Sequence, residues 1–213
     1  MEKILLIGGG GHCESVIDSI LESSSFDIIG ILDTPEKVGE TIGGIPIVGV
    51  DEDLQGWRDK GVQNAFITLG SIGNTQLRQK LFQKAKDLGF FFPVVKDKTA
   101  IVSNKININE GTFIGKGAIV NASVKIGKLA IINSGAIVEH GSTIGDYCHL
   151  APGATLSGNV SIGKSTHIGT NTTIIQGVKI GEDTIIGAGS VVIRNIGSFK
   201  KAYGNPCKEA TNE

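Results

Sequence analysis

From Val102 to Val192 an aliphatic residue returns at every sixth position. The series runs Val102, Ile108, Ile114, Val120 and onward, sixteen positions in all, each Ile, Leu or Val. Four places after most of them lies a second series of small or β-branched residues, from Thr112, Ala118 and Val124 to Ser190. A period of six matches neither the 3.6 of a helix nor the 2 of a strand. It fits a short strand and a tight corner, repeated three times per coil. The small residue and the aliphatic residue two places later then face inward, and the residue between them faces out. Coils stack about 4.8 Å apart, so roughly five coils give a prism about 25 Å long. Glycine often follows the aliphatic residue, as at Gly115, Gly127, Gly145 and Gly163, where a sharp backbone turn is expected.

Before residue 99 the texture differs. Lys3–Ile7 has a buried-strand pattern and runs into Gly8-Gly9-Gly10-Gly11. Val16, Ile17, Ile20 and Leu21 follow at helical spacing. A second strand over Ile28–Leu32 ends on Asp33, and a third over Ala65–Leu69 precedes a helix carrying Leu77, Leu81, Phe82, Ala85 and Leu88. Strands alternating with helices imply a small, Rossmann-like parallel α/β sheet. The expected division is therefore residues 1–98, a Rossmann-like α/β domain, and residues 99–213, a β-helix with a C-terminal tail.

Composition narrows the function. A net charge of -1 lacks the basic footprint of a nucleic-acid binder. No stretch approaches the roughly 20 apolar residues of a membrane helix, and Ile4–Ile7 is too short for a secretory signal. Cys13, Cys148 and Cys207 are dispersed with no CxxC spacing, as reduced thiols would be, so a cytoplasmic location is expected. Cys148 falls in the small inward series and reads as core filler.

The glycines after the first strand open a helix, where free backbone N–H groups receive an anion. An acidic residue ending the second strand is placed to read a ribose or base. Cys13 stands at the third glycine position of a dinucleotide fingerprint, which turns the expectation from NAD to a nucleotide sugar.

The repeat, with its [LIV]-G-x-x-[STAV]-x unit, resembles the left-handed β-helix of hexapeptide-repeat acyltransferases over about residues 102 to 195. The GGGGH run, the strand ending in Asp33 and a terminal Gly-x-Pro extend the likeness over residues 3 to 208. Together they resemble the bacterial nucleotide-sugar N-acetyltransferases, a family also described as sialic acid O-acetyltransferase-like. The resemblance implies acetyl-CoA as co-substrate, no metal, and a homotrimer with active sites in grooves between neighbouring helices.

Four histidines are present: His12, His140, His149 and His167. The register puts His140 at a corner and aims His149 and His167 outward, one coil apart. Acetyl transfer to an amine needs a proton acceptor, for which histidine is suited, and N–H donors for the oxyanion. By resemblance His140 is the general base, His149 lies near the thioester and His12 closes the sugar site. Gly10, Gly11 and Asp33 hold the nucleotide sugar, and Asn133, Gly158, Thr170, Gly189 and Lys208 join His149 in holding acetyl-CoA. The family often has Asp or Glu directly after the base. Here that residue is Gly141, which leaves Glu139 or a group from another subunit to substitute, or His140 to work unaided on an amine already partly deprotonated. The alternatives are O-acetylation of a sialic acid, a zinc enzyme of carbonic anhydrase type using three histidines, and a non-catalytic scaffold.

Overall fold

The computed structural model describes residues 1–210, and the chain divides into two compact units. Residues 1–70 and 76–98 form the first; residues 71–75 cluster with residues 99 onward in the second.

In the first unit the elements are β1 (Lys3–Ile7), α1 (Gly11–Ser23), β2 (Asp27–Leu32), β3 (Thr41–Ile42), β4 (Ile45–Gly49), α2 (Leu54–Asp59), β5 (Asn64–Ile67) and α3 (Gln76–Asp87). The sheet order is β3-β4-β2-β1-β5, parallel except for β3. Ile4 to Ile7 on β1, an interior strand, are fully buried, as a parallel strand covered on both faces should be. The three strands and two helices read from the sequence are all present. The hairpin β3–β4 was not foreseen, although Gly43 and Gly44 both have positive φ, the geometry of a two-residue primed turn. Phe91 makes only a single bridge, to Asn64, with Phe90 and Phe92 buried on either side of it.

The second unit is a left-handed parallel β-helix of two-residue strands. Strands pair in register at eighteen-residue steps: Ile119 with Ile137, Ile137 with Thr155, Thr155 with Thr173 and Thr173 with Val191. Ile132, Leu150, Ile168, Ala136 and Ala154 fill its interior. Several small inward residues are polar, and each finds a carbonyl. Thr112 donates to Gly127, Cys148 to Gly163, Thr166 to Gly181 and Thr172 to Gly187, at 2.7–3.0 Å. A hydroxyl or thiol is tolerated there because its hydrogen bond is made inside the coil.

The glycine expectation needs correcting. Gly115, Gly127, Gly145 and Gly163 are not the residues at which the chain reverses. The left-handed residue comes two places later in each hexad, as at Gly117 and Gly135, and also at Ser123, Leu129 and Tyr147. The glycines after the aliphatic position answer to a different demand. A Cβ on Gly145 would lie 2.6 Å from the backbone N of Lys164, and one on Gly169 would lie 2.5 Å from that of Ala188. They permit close stacking of successive coils, not the turn itself.

Candidate active site

His140 is the last residue before one of these left-handed corners, formed by Gly141 at φ 69°. Its side chain is 67% exposed. The coil before it places Ala122 in the same column and the coil after it places Gly158, as the bonds Gly141 N–H to Ala122 O and Asn159 N–H to His140 O require. The imidazole lies across Gly158: a Cβ there would come within 2.7 Å of both Cε1 and Nε2. Gly158, expected at the acetyl-CoA site, is thus also the floor on which the ring rests. Glu139 approaches the other ring nitrogen, with Oε2 3.5 Å from Nδ1. Asn121, one coil earlier, donates to Glu139 Oε1 at 2.9 Å.

His149 and His167 pair in register with their rings edge to face, centroids 4.9 Å apart. Both take the outward strand position, yet His167 is only 7% exposed. Residues 71–75 lie over this face. The Ser71 carbonyl sits 3.1 Å from His149 Nδ1, and Thr75 Oγ1 donates to Ser165 Oγ at 3.0 Å. A carbonyl only accepts, so Nδ1 carries the proton in that bond. In the neutral ring Nε2 is then free to accept from Asn133 Nδ2, 3.2 Å away. Asn133 Oδ1 accepts from the Ser134 N–H, which fixes the amide in this orientation. Burial holds the His167 pKa below its ordinary value, and its Nδ1 has no hydrogen-bond partner among the described residues.

In the first unit Gly10 caps α1 and Gly11 begins it, with open space where each Cβ would be. Their amides are accessible in the way an anion needs. The thirteen residues of α1 give that end a full helix behind it. His12 packs near Gly70, shortly after the end of β5. Asp33 accepts from the N–H groups of Gly9 and Thr34 and pairs with Lys37 Nζ at 3.2 Å. Burial would raise its pKa, but these donors outweigh that and hold the carboxyl below the usual range. A cleft of about 240 Å³ opens beside it, lined by Gly8, Asp33, Pro35, Asp51, Leu69 and Leu81 among others. Burial raises the pKa of Asp51 there.

The remaining expected contacts are dispersed along the second unit. Gly189 N–H donates to Thr170 O at a corner, with open space around Gly189. Lys208 lies in the strand Lys208–Glu209, which pairs antiparallel with Lys201–Tyr203. The sequence reading missed Asn121, Asn159 and the segment 71–75. The first two were accessible from the eighteen-residue step; the third was not. Among the described residues no group of three or more His, Cys, Asp or Glu side chains is placed to hold a metal ion. No helix among them is long and apolar enough to cross a membrane.

Residues 3–85 match the PglD N-terminal domain family, and residues 159–194 match the bacterial transferase hexapeptide family (six repeats). No curated protein matches the chain. Perosamine N-acetyltransferase from Caulobacter crescentus, solved in complex with CoA and GDP-perosamine, is 38% identical, with a TM-score of 0.92 over 99% of this chain and 98% of that one. The acetyltransferase domain of PglB from Neisseria gonorrhoeae is 28% identical, with a TM-score of 0.91 over 99% of this chain and 100% of that one. WeeI from Acinetobacter baumannii, 24% identical over 99% of this chain and 100% of that one with a TM-score of 0.84, shares the fold. The chain belongs to the nucleotide-sugar N-acetyltransferase family of hexapeptide-repeat acyltransferases and is an acetyltransferase.

Proposed function

We propose that this acetyltransferase moves the acetyl group of acetyl-CoA directly onto the amino group of a nucleotide-linked 4-amino-deoxy sugar, with His140 as general base. The reading rests on the whole-length likeness to an enzyme solved with CoA and GDP-perosamine. In the transfer the sugar nitrogen bonds to the thioester carbonyl carbon, the C–S bond breaks, and CoA leaves as its thiol. The proton lost by the nitrogen passes to His140 Nε2, the ring nitrogen turned away from Glu139. No covalent enzyme intermediate is needed, which agrees with Cys13 and Cys148 being buried, Cys13 with its pKa raised by burial to about 11.

Gly10, Gly11, His12 and Asp33 hold the nucleotide sugar in this reading. Asn133, His149, Gly158, Thr170, Gly189 and Lys208 hold acetyl-CoA. His149 acts through its fixed tautomer, since both its ring nitrogens already have partners. The enzyme works in the cytoplasm as a homotrimer, in which a neighbouring helix completes each groove beside His140. Free-thiol release from acetyl-CoA, compared among GDP-linked and UDP-linked 4-amino sugars and free sialic acids, tests the substrate class. Turnover with the nucleotide-linked amines is expected; turnover only with a free sialic acid would overturn it. Sedimentation of the purified chain tests the trimer, and a monomeric active enzyme would refute it.

A further inference from the structure

We infer that Glu139, held in place by Asn121, is the carboxylate that orients His140. The inference rests on the reading of His140 as general base. Three observations lead to it.

The position after the base carries no side chain, and the space beside it is taken. Gly141 turns the corner at φ 69°, and Asn159 Oδ1 from the next coil stands where a Cβ of Gly141 would be. The space beyond Gly141 is therefore already filled by an amide. On the other side of His140 a carboxylate is present and fastened. Glu139 Oε1 accepts from Asn121 Nδ2 at 2.9 Å, and Oε2 faces both the backbone N of His140, at 3.4 Å, and Nδ1, at 3.5 Å. Finally, the ring has a bed. Glycine at position 158 lets the imidazole lie flat against the following coil, where any Cβ would push it away.

With Nδ1 turned toward the carboxylate, Nδ1 carries the proton and Nε2 is left as the acceptor, the tautomer a general base requires. The stacked neighbours of the pair are Asn121 and Ser157 beside Glu139, and Ala122 and Gly158 beside His140, with Asn159 filling the space over Gly141. None is charged, so Glu139 supplies the one charge from these neighbouring positions. Its carboxylate stabilises the imidazolium that forms as the amine loses its proton. Glu139 is a positioning residue in this account and touches neither substrate.

The test compares the full-length enzyme with Glu139→Gln, Glu139→Asp and Asn121→Ala, following acetyl-CoA consumption with the best nucleotide-linked amine across pH. Glu139→Gln is expected to lower kcat about tenfold, leave both KM values within twofold, and move the acid limb of the kcat/KM profile to lower pH. Asn121→Ala should lower kcat by a smaller factor in the same sense, and Glu139→Asp should recover part of the loss. A Glu139→Gln enzyme with wild-type kcat and an unmoved acid limb overturns the inference while leaving His140 as base. So does a rise in the sugar KM at unchanged kcat, which would make Glu139 a substrate contact. If instead His140→Ala retains full activity, the underlying reading fails, whatever Glu139 does. Thermal unfolding of each variant, expected within about 2 °C of wild type for these partly exposed side chains, separates a positional loss from a folding one.

Discussion

Two corner columns of the same prism carry opposite kinds of residue. One runs Glu110, Lys128, Asp146, Lys164, Glu182, alternating in sign from coil to coil. The other runs Ala122, His140, Gly158, Gln176, Arg194, with a single imidazole resting on a glycine. The backbone is the same in both as far as Glu182 and Gln176, a residue placed just before a left-handed turn. The repeat therefore fixes where an outward residue stands and says nothing of what it is. In the first column neighbours of opposite charge sit over one another, with Lys164 exposed and Asp146 Oδ1 accepting from the Lys128 N–H. In the second, size is rationed: a long side chain at 158 would displace the ring. What marks a functional column is the combination of a reactive group and a vacated neighbour.

The largest effect that separates the columns is His140→Ala. It should lower kcat by about 10²–10⁴-fold, the usual contribution of a general base, with thermal stability unchanged because the side chain is mostly exposed. Steady-state thiol release checks it, and a loss below tenfold would remove the distinction between the columns. Gly158→Ala comes next. Its Cβ meets the imidazole, so kcat should fall by roughly tenfold through a misplaced base, an effect of about 1.4 kcal/mol on the barrier. The matched change in the charged column, Asp146→Ala, should leave kcat alone.

A third outward column, the strand face holding His149 and His167, sharpens the comparison because it is covered. His167 is buried and its folded-state pKa lies below the ordinary value of about 6.5. A base whose folded pKa is lowered takes up its proton more readily when unfolded. Its neutral form therefore contributes fully above pH 6.5, and stability declines as the pH falls below that toward the folded value. Thermal melts of wild type and His167→Phe between pH 7.5 and 5 should diverge in slope, with the wild type losing more on acidification. Parallel slopes would mean that the ring is solvated, as in an open column.

Much of this was legible in the sequence because the hexad is a strict backbone rule. A step of eighteen puts His167 over His149, and Glu139 adjoins His140 in the chain itself. What the period could not carry was contact from outside it. Ser71 and Thr75 reach the β-helix from a segment some eighty residues away in sequence, so the burial of His167 and the fixed tautomer of His149 had no local signal. The role of the hexad glycines was also misread, because composition does not distinguish a residue that must turn from one that must let a neighbouring backbone approach. Gly43-Gly44 was the reverse case, a signal for a hairpin that was there to be read.

The smallest expected effect lies in the charged column and tests whether its alternation matters at all. Lys164 Nζ stands 3.5 Å from Glu182 Oε2, with both side chains well exposed at 61% and 39%. Exposed pairs of this kind contribute about 0–1 kcal/mol, since water screens the attraction and two long side chains lose freedom. Lys164→Gln should therefore change stability by at most about 0.5 kcal/mol by urea denaturation, and kcat not at all. Lys164→Glu asks more of the same site, for it sets three acidic residues in successive coils about 4.8 Å apart. Repulsion should then cost about 1 kcal/mol at low salt, and most of it should vanish in 1 M salt, where the Debye length is about 3 Å. A loss that persists in high salt would show that Lys164 acts through the packing of its alkyl chain, and that this column, like that of His140, constrains the shape of its residues.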